Sequence, residues 1–193
     1  MSDTLIRCPW SIKTQTETIY HDEEWGVPCR DDQKQFEFLV LESAQAGLSW
    51  STILNKRAGY KKCYHNFKPE IVAEFTEQDV ESLLQDPSIV RNRKKIEASI
   101  NNARCFLEIV AKYGKFSKYI WDFVDGKPIC NSWKEITELP AKTQLSDLIA
   151  KDLKQKGFKF LGSTTIYAHM QATGLVNDHL TSCFRYETIK NFK

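Results

Sequence analysis

Apolar residues return along most of the chain at the helical period. Over 32–46, Phe36, Leu39, Val40 and Ala44 form one stripe that stops at Gly47. Ser49 suits the cap of a second helix whose face carries Trp50, Ile53, Leu54 and Arg57. Pro69 fits a helix start, for a short helix to Phe75, and Thr76 with Asp79 resembles a capping box ahead of Val80, Leu83 and Leu84. The longest helix is predicted over 91–113, with Ile96, Ile100, Ala103, Leu107 and Val110 facing inward, and a short one follows over 117–124. The period returns over 144–156 at Leu145, Leu148, Ile149 and Leu153, with Gly157 in the C′ position. Ser163 is placed to cap a last helix through Thr173, ended by Gly174. No segment alternates convincingly between apolar and polar residues, so the predicted class is all-α.

Composition adds little to this pattern. The length of 193 residues suits one domain, and 41% apolar residues suffice for a core. Five tryptophans are a hint of flat ligands. A net charge of +2 neither demands nor excludes nucleic acid. No apolar run approaches the roughly 20 residues that span a bilayer, and Met1 to Trp10 lacks an apolar leader. A soluble cytoplasmic protein is expected, with no membrane partner. Six cysteines without a CxxC pair read as buried thiols or metal ligands rather than disulfides.

Four constellations carry candidate chemistry. His179 and Cys183 are four positions apart, one helical turn, and Cys8 and His21 lie near the other end. Two Cys and two His would close a tetrahedral zinc site with no open position, a structural metal tying the ends together. A surface histidine beside a buried thiol is the competing reading, and Cys63 with His65 are rival ligands. Next, Leu153 to Thr165 joins two helices by a short hairpin with Gly157 and Gly162 at its ends. The helix N-terminus at Gly162 and Ser163 suits a phosphate, with Lys154, Lys156 and Lys159 nearby. An ordinary αα turn with solvated lysines would look the same.

Glu42 is the third. A helical wheel sets it roughly 60° from Leu39, at the border of the apolar stripe. Trp50 follows the Gly47 break, and Trp10, Tyr20 and Trp25 add aromatic surface upstream. A carboxylate ringed by aromatics suits a flat cation, although a solvated Glu beside core aromatics fits the pattern too. The fourth is the basic run Arg91-Asn92-Arg93-Lys94-Lys95 at a helix start, where cations oppose the helix dipole. Phosphate contact or a solvated charge run would each account for it. His65 and His169 lack obvious partners and read as structural.

Taken in order, these segments resemble the DNA-3-methyladenine glycosylase I family over nearly the whole chain. The carrying stretches are Arg7 to Trp10, Tyr20 to Pro28, Leu41 to Trp50, Lys156 to Gly162 and Gly174 to His179. The resemblance implies a helix-hairpin-helix DNA glycosylase fold with the hairpin unit at about 144–173. It implies one domain over 1–193 whose end segments, 1–30 and 174–190, are tied by structural zinc on Cys8, His21, His179 and Cys183. It implies a base pocket of Glu42, Tyr20, Trp50 and Trp10, with Trp25 beside them. Leu48 looks like the side chain that enters the duplex, and Gly157, Lys159, Gly162, Ser163 and Thr164 are the expected backbone contacts. The implied activity is removal of 3-methyladenine from double-stranded DNA by a monomer. Strand nicking is not expected, because no lysine is evidently placed to form a Schiff base.

Two departures stand out. Where related glycosylases carry an aspartate in a V-D-x-H stretch, this chain has Asn177, followed by Asp178, for which a supporting role behind the metal ligand His179 is expected. Some members have a tyrosine three residues before Tyr20, where Glu17 stands here. The competing function is a zinc-stabilised module that binds alkylated DNA or a modified purine without cleaving. A purely structural helical protein would leave Glu42 and the Cys/His set unexplained.

Overall fold

The computed structural model describes residues 5–192. The first four residues of the Met1–Trp10 segment, and Lys193, lie outside that range. Ten α-helices are found among the described residues: α1 (Gln15–Glu23), α2 (Asp32–Gln45), α3 (Trp50–Cys63), α4 (Pro69–Val72), α5 (Glu77–Gln85), α6 (Arg93–Tyr113), α7 (Phe116–Asp122), α8 (Gln144–Gln155), α9 (Ser163–Ala172) and α10 (Phe184–Lys190). None is long and apolar enough to cross a membrane.

Helix α2 is the centre of the molecule. It packs on α3, α6, α7 and α9, and every residue from Phe38 to Ala44 is buried. Neighbours on several sides remove the amphipathic border, so Glu42 lies in the interior rather than on a flank. A large core gathers Phe36, Phe106, Phe116, Trp121 and Ile166. A smaller one gathers Cys8, Tyr20, Trp25, Phe38, Leu180 and Cys183, and Trp50 packs against both.

Most predicted starts are capped as expected. Ser49 accepts from the Thr52 N–H at 3.2 Å, and Thr76 and Asp79 cap each other reciprocally. Three starts shift. α6 begins at Arg93 because Asn92 takes the cap. α9 is capped by Gly162, since the Ser163 hydroxyl turns to that of Ser146 at 2.8 Å. α7 begins at Phe116 because the Asp32 carboxylate accepts the Phe116 and Ser117 N–H groups, a tertiary cap from α2. Leu148, expected inward, is exposed.

Other features correct the sequence reading. α1 and α10 were not legible. α1 is largely polar, and its buried face is Glu17, Tyr20 and His21. A two-residue parallel ladder joins β1 (Ile129–Cys130) to β2 (Val176–Asn177), too short to leave an alternating pattern. The basic run is absorbed in part: Arg93 pairs with Glu77 and Glu81, and Lys95 Nζ donates to the carbonyls of Ala44 (2.8 Å) and Ala46 (2.6 Å). Lys95 thus opposes the dipole of its own helix but neutralises the C-terminus of α2.

Candidate active site

A cavity of about 510 Å³ opens where α1, α2, α3 and α9 meet. Trp10, Tyr20, Trp25, Trp50 and Glu42 all line it, so the structure gathers the five residues singled out in the sequence. Each arrives by a different route: Tyr20 on α1, Trp25 just after it, Glu42 on the central helix, Trp50 at the first turn of α3. The rings pack on one another, with centroids 5.0 Å apart for Trp10 and Trp25 and 5.5 Å for Tyr20 and Trp50. Glu17 is buried in the same wall, and the Thr14 hydroxyl donates to its Oε2 at 3.0 Å.

Glu42 is 4% exposed, and its Oε1 has no hydrogen-bond partner. Burial raises its pKa, against the opposing charge and hydrogen bond of His169. Burial, then the nearby Glu42 charge, push the Tyr20 phenol well above its ordinary value, so its hydroxyl stays protonated. The cavity therefore offers stacking faces, a hydroxyl donor and one unsatisfied carboxylate oxygen. An unpaired buried acceptor is costly, and a hydrogen-bond donor entering the cavity would satisfy it.

Behind this wall lies the Cys/His cluster. The ligand atoms of Cys8, His21, His179 and Cys183 lie within 4.8 Å of one another, and all four residues are buried. Cys183 Sγ is 3.4 Å from His21 Nε2 and 3.6 Å from His179 Nδ1, and Cys8 Sγ is 3.8 Å from His179 Nδ1. A tetrahedral ion with bonds of about 2.0–2.3 Å sets its ligands roughly 3.3–3.8 Å apart. The outer partners agree. His21 Nδ1 donates to Asp22 at 2.8 Å and His179 Nε2 to the Trp25 carbonyl at 3.1 Å, so each ring turns a lone pair inward. The donor set fits a metal. His179 and Cys183 do not share a helix face, however: residues 179–183 form a turn, and Cys183 caps α10. Gly26 permits the packing, with φ +81 and a site where a Cβ would come within 3.0 Å of His179 Nε2. Cys63 and His65 lie outside this group.

Comparison with known proteins decides the family. Residues 10–186 match the model of the methyladenine glycosylases. The DNA-3-methyladenine glycosylase 1 of Escherichia coli K12 is 46% identical over 93% of this chain and 96% of its own. A DNA-3-methyladenine glycosylase of Haemophilus influenzae is 44% identical over 92% and 96%. The 3-methyladenine DNA glycosylase I of Staphylococcus aureus, solved for its recognition of 3-methyladenine, superposes with a TM-score of 0.91 at 40% identity, covering 93% of this chain and 96% of that one. The chain belongs to the methyladenine glycosylase family.

In this glycosylase the two other expected regions are exposed. Leu48 stands out at the turn between α2 and α3, 40% exposed, immediately before the cavity-lining Ser49 and Trp50. Between α8 and α9 the hairpin buries Phe158 and Leu161 and leaves Gly157, Lys159, Gly162 and Thr164 in solvent, with Ser163 half-buried. Gly157 adopts φ +88, the left-handed turn that ends α8. The hairpin is clamped by α6: Asn102 accepts from the Lys159 N–H at 2.8 Å and donates to the Lys159 carbonyl at 2.9 Å. The α9 start has no side-chain cap, so its first N–H groups are free. Of the three lysines expected to surround it, Lys156 is paired with Asp152 at 2.7 Å. The same helix reaches the cavity through Ala168, Gln171 and Ala172, about 12 Å from its start to Gln171.

Asp178 differs from expectation. Its carboxylate accepts from Asn131, Trp133, Tyr167 and Gln171 at 2.6–2.8 Å, and from no residue of the Cys/His cluster. Four donors saturate it, so it acts as a structural hub and has no lone pair free to take a proton from water. Asn177 bridges the Tyr186 carbonyl and the His179 N–H. His169 was missed: it contacts Glu42 and Gln35 through its two ring nitrogens. The available signal was that Gln35 and Glu42 stand seven apart, two helical turns, on one face of α2.

Proposed function

We propose that this glycosylase hydrolyses the N-glycosidic bond of 3-methyladenine in alkylated double-stranded DNA, acts as a monomer, and leaves an abasic site without nicking the strand. The observation that carries the reading is Glu42 Oε1, buried and unpartnered in a cavity walled by Trp10, Tyr20, Trp25 and Trp50. The activities named for the relatives support it.

The stacked base is out of reach, so its nucleotide must leave the duplex, at a cost of a few kcal/mol that is lowest for damaged bases. Leu48 fills the vacated space. Phosphates rest on the free N–H groups around Gly162, Ser163 and Thr164, with Gly157 and Lys159 on the hairpin's outer edge. In the cavity the rings stack on the base, at about 1–3 kcal/mol per base. Glu42 Oε1 accepts from its exocyclic amine, and the carboxylate stabilises the positive charge that builds on the sugar.

The base already carries a positive charge from methylation. When the C1′–N9 bond breaks, the bonding pair leaves with the base, which becomes neutral. A water oxygen bonds to C1′ and releases its proton to solvent. No strong acid is needed, and unmethylated adenine gains less from the carboxylate. Zinc held by Cys8, His21, His179 and Cys183 would join the two end segments of one domain and brace the wall that carries Trp25.

Incubation with methylated duplex DNA, followed by identification of released bases, tests the reading. Release of 3-methyladenine with the strand intact is expected. Its absence sinks the reaction, and a strand break sinks the monofunctional mechanism.

A further inference from the structure

The cavity carboxylate does not stand alone. Glu42 Oε2 is 3.1 Å from His169 Nδ1, and His169 Nε2 is 2.7 Å from Gln35 Oε1. The His169 ring and Gln35 are fully buried. The protons of this row can be assigned. The Cys29 carbonyl accepts from Trp121 Nε1 at 2.7 Å and from Gln35 Nε2 at 2.8 Å. Reversing the Gln35 amide would set two carbonyl oxygens against each other. Gln35 therefore turns its oxygen to His169, and His169 Nε2 must carry a proton. A neutral imidazole protonated on Nε2 has a bare lone pair on Nδ1, which would face the Glu42 carboxylate oxygen. A hydrogen bond at that contact needs one more proton.

We infer that His169 is a positioning residue whose Nδ1–H holds Glu42 Oε2, keeps the carboxylate ionised in the interior, and leaves Oε1 as the single acceptor offered to the base. A bare carboxylate at this depth would be penalised by desolvation and would take up a proton instead. As an ion pair the two groups have no net charge, and the negative end faces the cavity. A cationic base gains from that end, whereas a neutral base gains only the hydrogen bond. This inference rests on the proposed role of Glu42.

The other ionisable groups at this site are Glu17 and Tyr20 on α1 and Lys13 at the cavity mouth. Lys95 of α6 reaches the end of α2 but is engaged with the carbonyls of Ala44 and Ala46. A Glu17→Gln background separates the nearest second carboxylate from Glu42 in any titration.

The test is a pair of measurements in the full chain. In substrate-free protein, nitrogen NMR of His169 at neutral pH should show both ring nitrogens protonated; a bare Nδ1 overturns the inference. Carboxyl-carbon NMR of Glu42 is then compared between the parent and the double variant Gln35→Leu/His169→Phe. The double replacement leaves no unpaired Gln35 amide behind, and the Cys29 carbonyl keeps the Trp121 donor; Glu42 alone loses its partner. Loss of the cation should raise the Glu42 midpoint by about one to three pH units, and the acid limb of single-turnover excision should move with it. His169→Gln, whose amide can still donate to Oε2, should bring the midpoint part of the way back. An unchanged midpoint in the folded double variant overturns the inference. A raised midpoint with an unchanged excision profile upholds the pair and instead removes Glu42 from the reaction.

Discussion

His179 Nε2 lies 3.1 Å from the main-chain carbonyl of Trp25, and the two rings meet edge to face at 4.6 Å. One residue thus serves both halves of the site: the Trp25 carbonyl orients His179 of the Cys/His cluster while its indole walls the cavity. Tyr20 and His21, consecutive on α1, divide the same work. The Cys/His cluster and the aromatic cavity share a wall.

Losing a metal ligand should therefore loosen the pocket. Cys183→Ser should lower the bound zinc measured by metal analysis and reduce stability by about 3 kcal/mol or more. Tryptophan fluorescence should shift as Trp10 and Trp25 are released. Unchanged zinc content would remove Cys183 from the ligand set.

Glu42→Gln keeps size and removes charge. A hydrogen bond to a charged group is worth about 1.5–3 kcal/mol, or roughly 10- to 150-fold in rate. Excision of 3-methyladenine should fall by that factor while the protein stays folded at the assay temperature, read by thermal unfolding. Equal excision rates would take Glu42 out of the mechanism.

Asp178→Asn should act on stability. It sets an amide among four donors, so at least one buried N–H or O–H loses its acceptor. A loss of about 3 kcal/mol is expected, read by denaturant unfolding. A variant as stable as the parent would show that the hub is not needed.

Acid should weaken the join between α1, α2 and α3. Arg57 donates to Glu24 at 2.6 Å and to Glu37 at 2.7 Å, and Lys34 pairs with both carboxylates. Burial pushes Glu24 up, but the hydrogen bonds and charge of Arg57 outweigh it and hold the carboxyl below its ordinary value. A depressed carboxyl stabilises the fold above its unfolded pKa, and that share is lost as pH falls through the folded value. Unfolding measured from pH 6 to pH 3 should show a steeper loss in the parent than in Glu24→Gln.

Lys95→Met should uncap α2 without touching the cavity. Two charged hydrogen bonds to the carbonyls of Ala44 and Ala46 are lost, for about 1–2 kcal/mol. Faster amide exchange in residues 45–49 is the specific sign, because that turn carries Leu48.

Much was legible in the sequence because it is local. The α2 stripe, the Ser49 cap, the Thr76–Asp79 box and the Gly157 stop all depend on residues within a turn or two of one another. The aromatics around Glu42 and the Cys/His set stood in the sequence beside rival readings, and only family likeness favoured them, since Cys8 and Cys183 lie at opposite ends of the chain. What stayed hidden has one physical cause: a hydrogen-bonding group carries no mark of its partner. Asp32 capping α7, Lys95 capping α2 and Asp178 collecting four donors are contacts that only packing creates. The same holds for the group that governs the central carboxylate. The sequence by itself determined a helical chain with Glu42 near an apolar stripe. Only the tertiary structure decided that α2 would be enclosed on several sides, that His169 would arrive from α9 to meet Glu42 and Gln35, and that one carboxylate oxygen would be left facing the cavity.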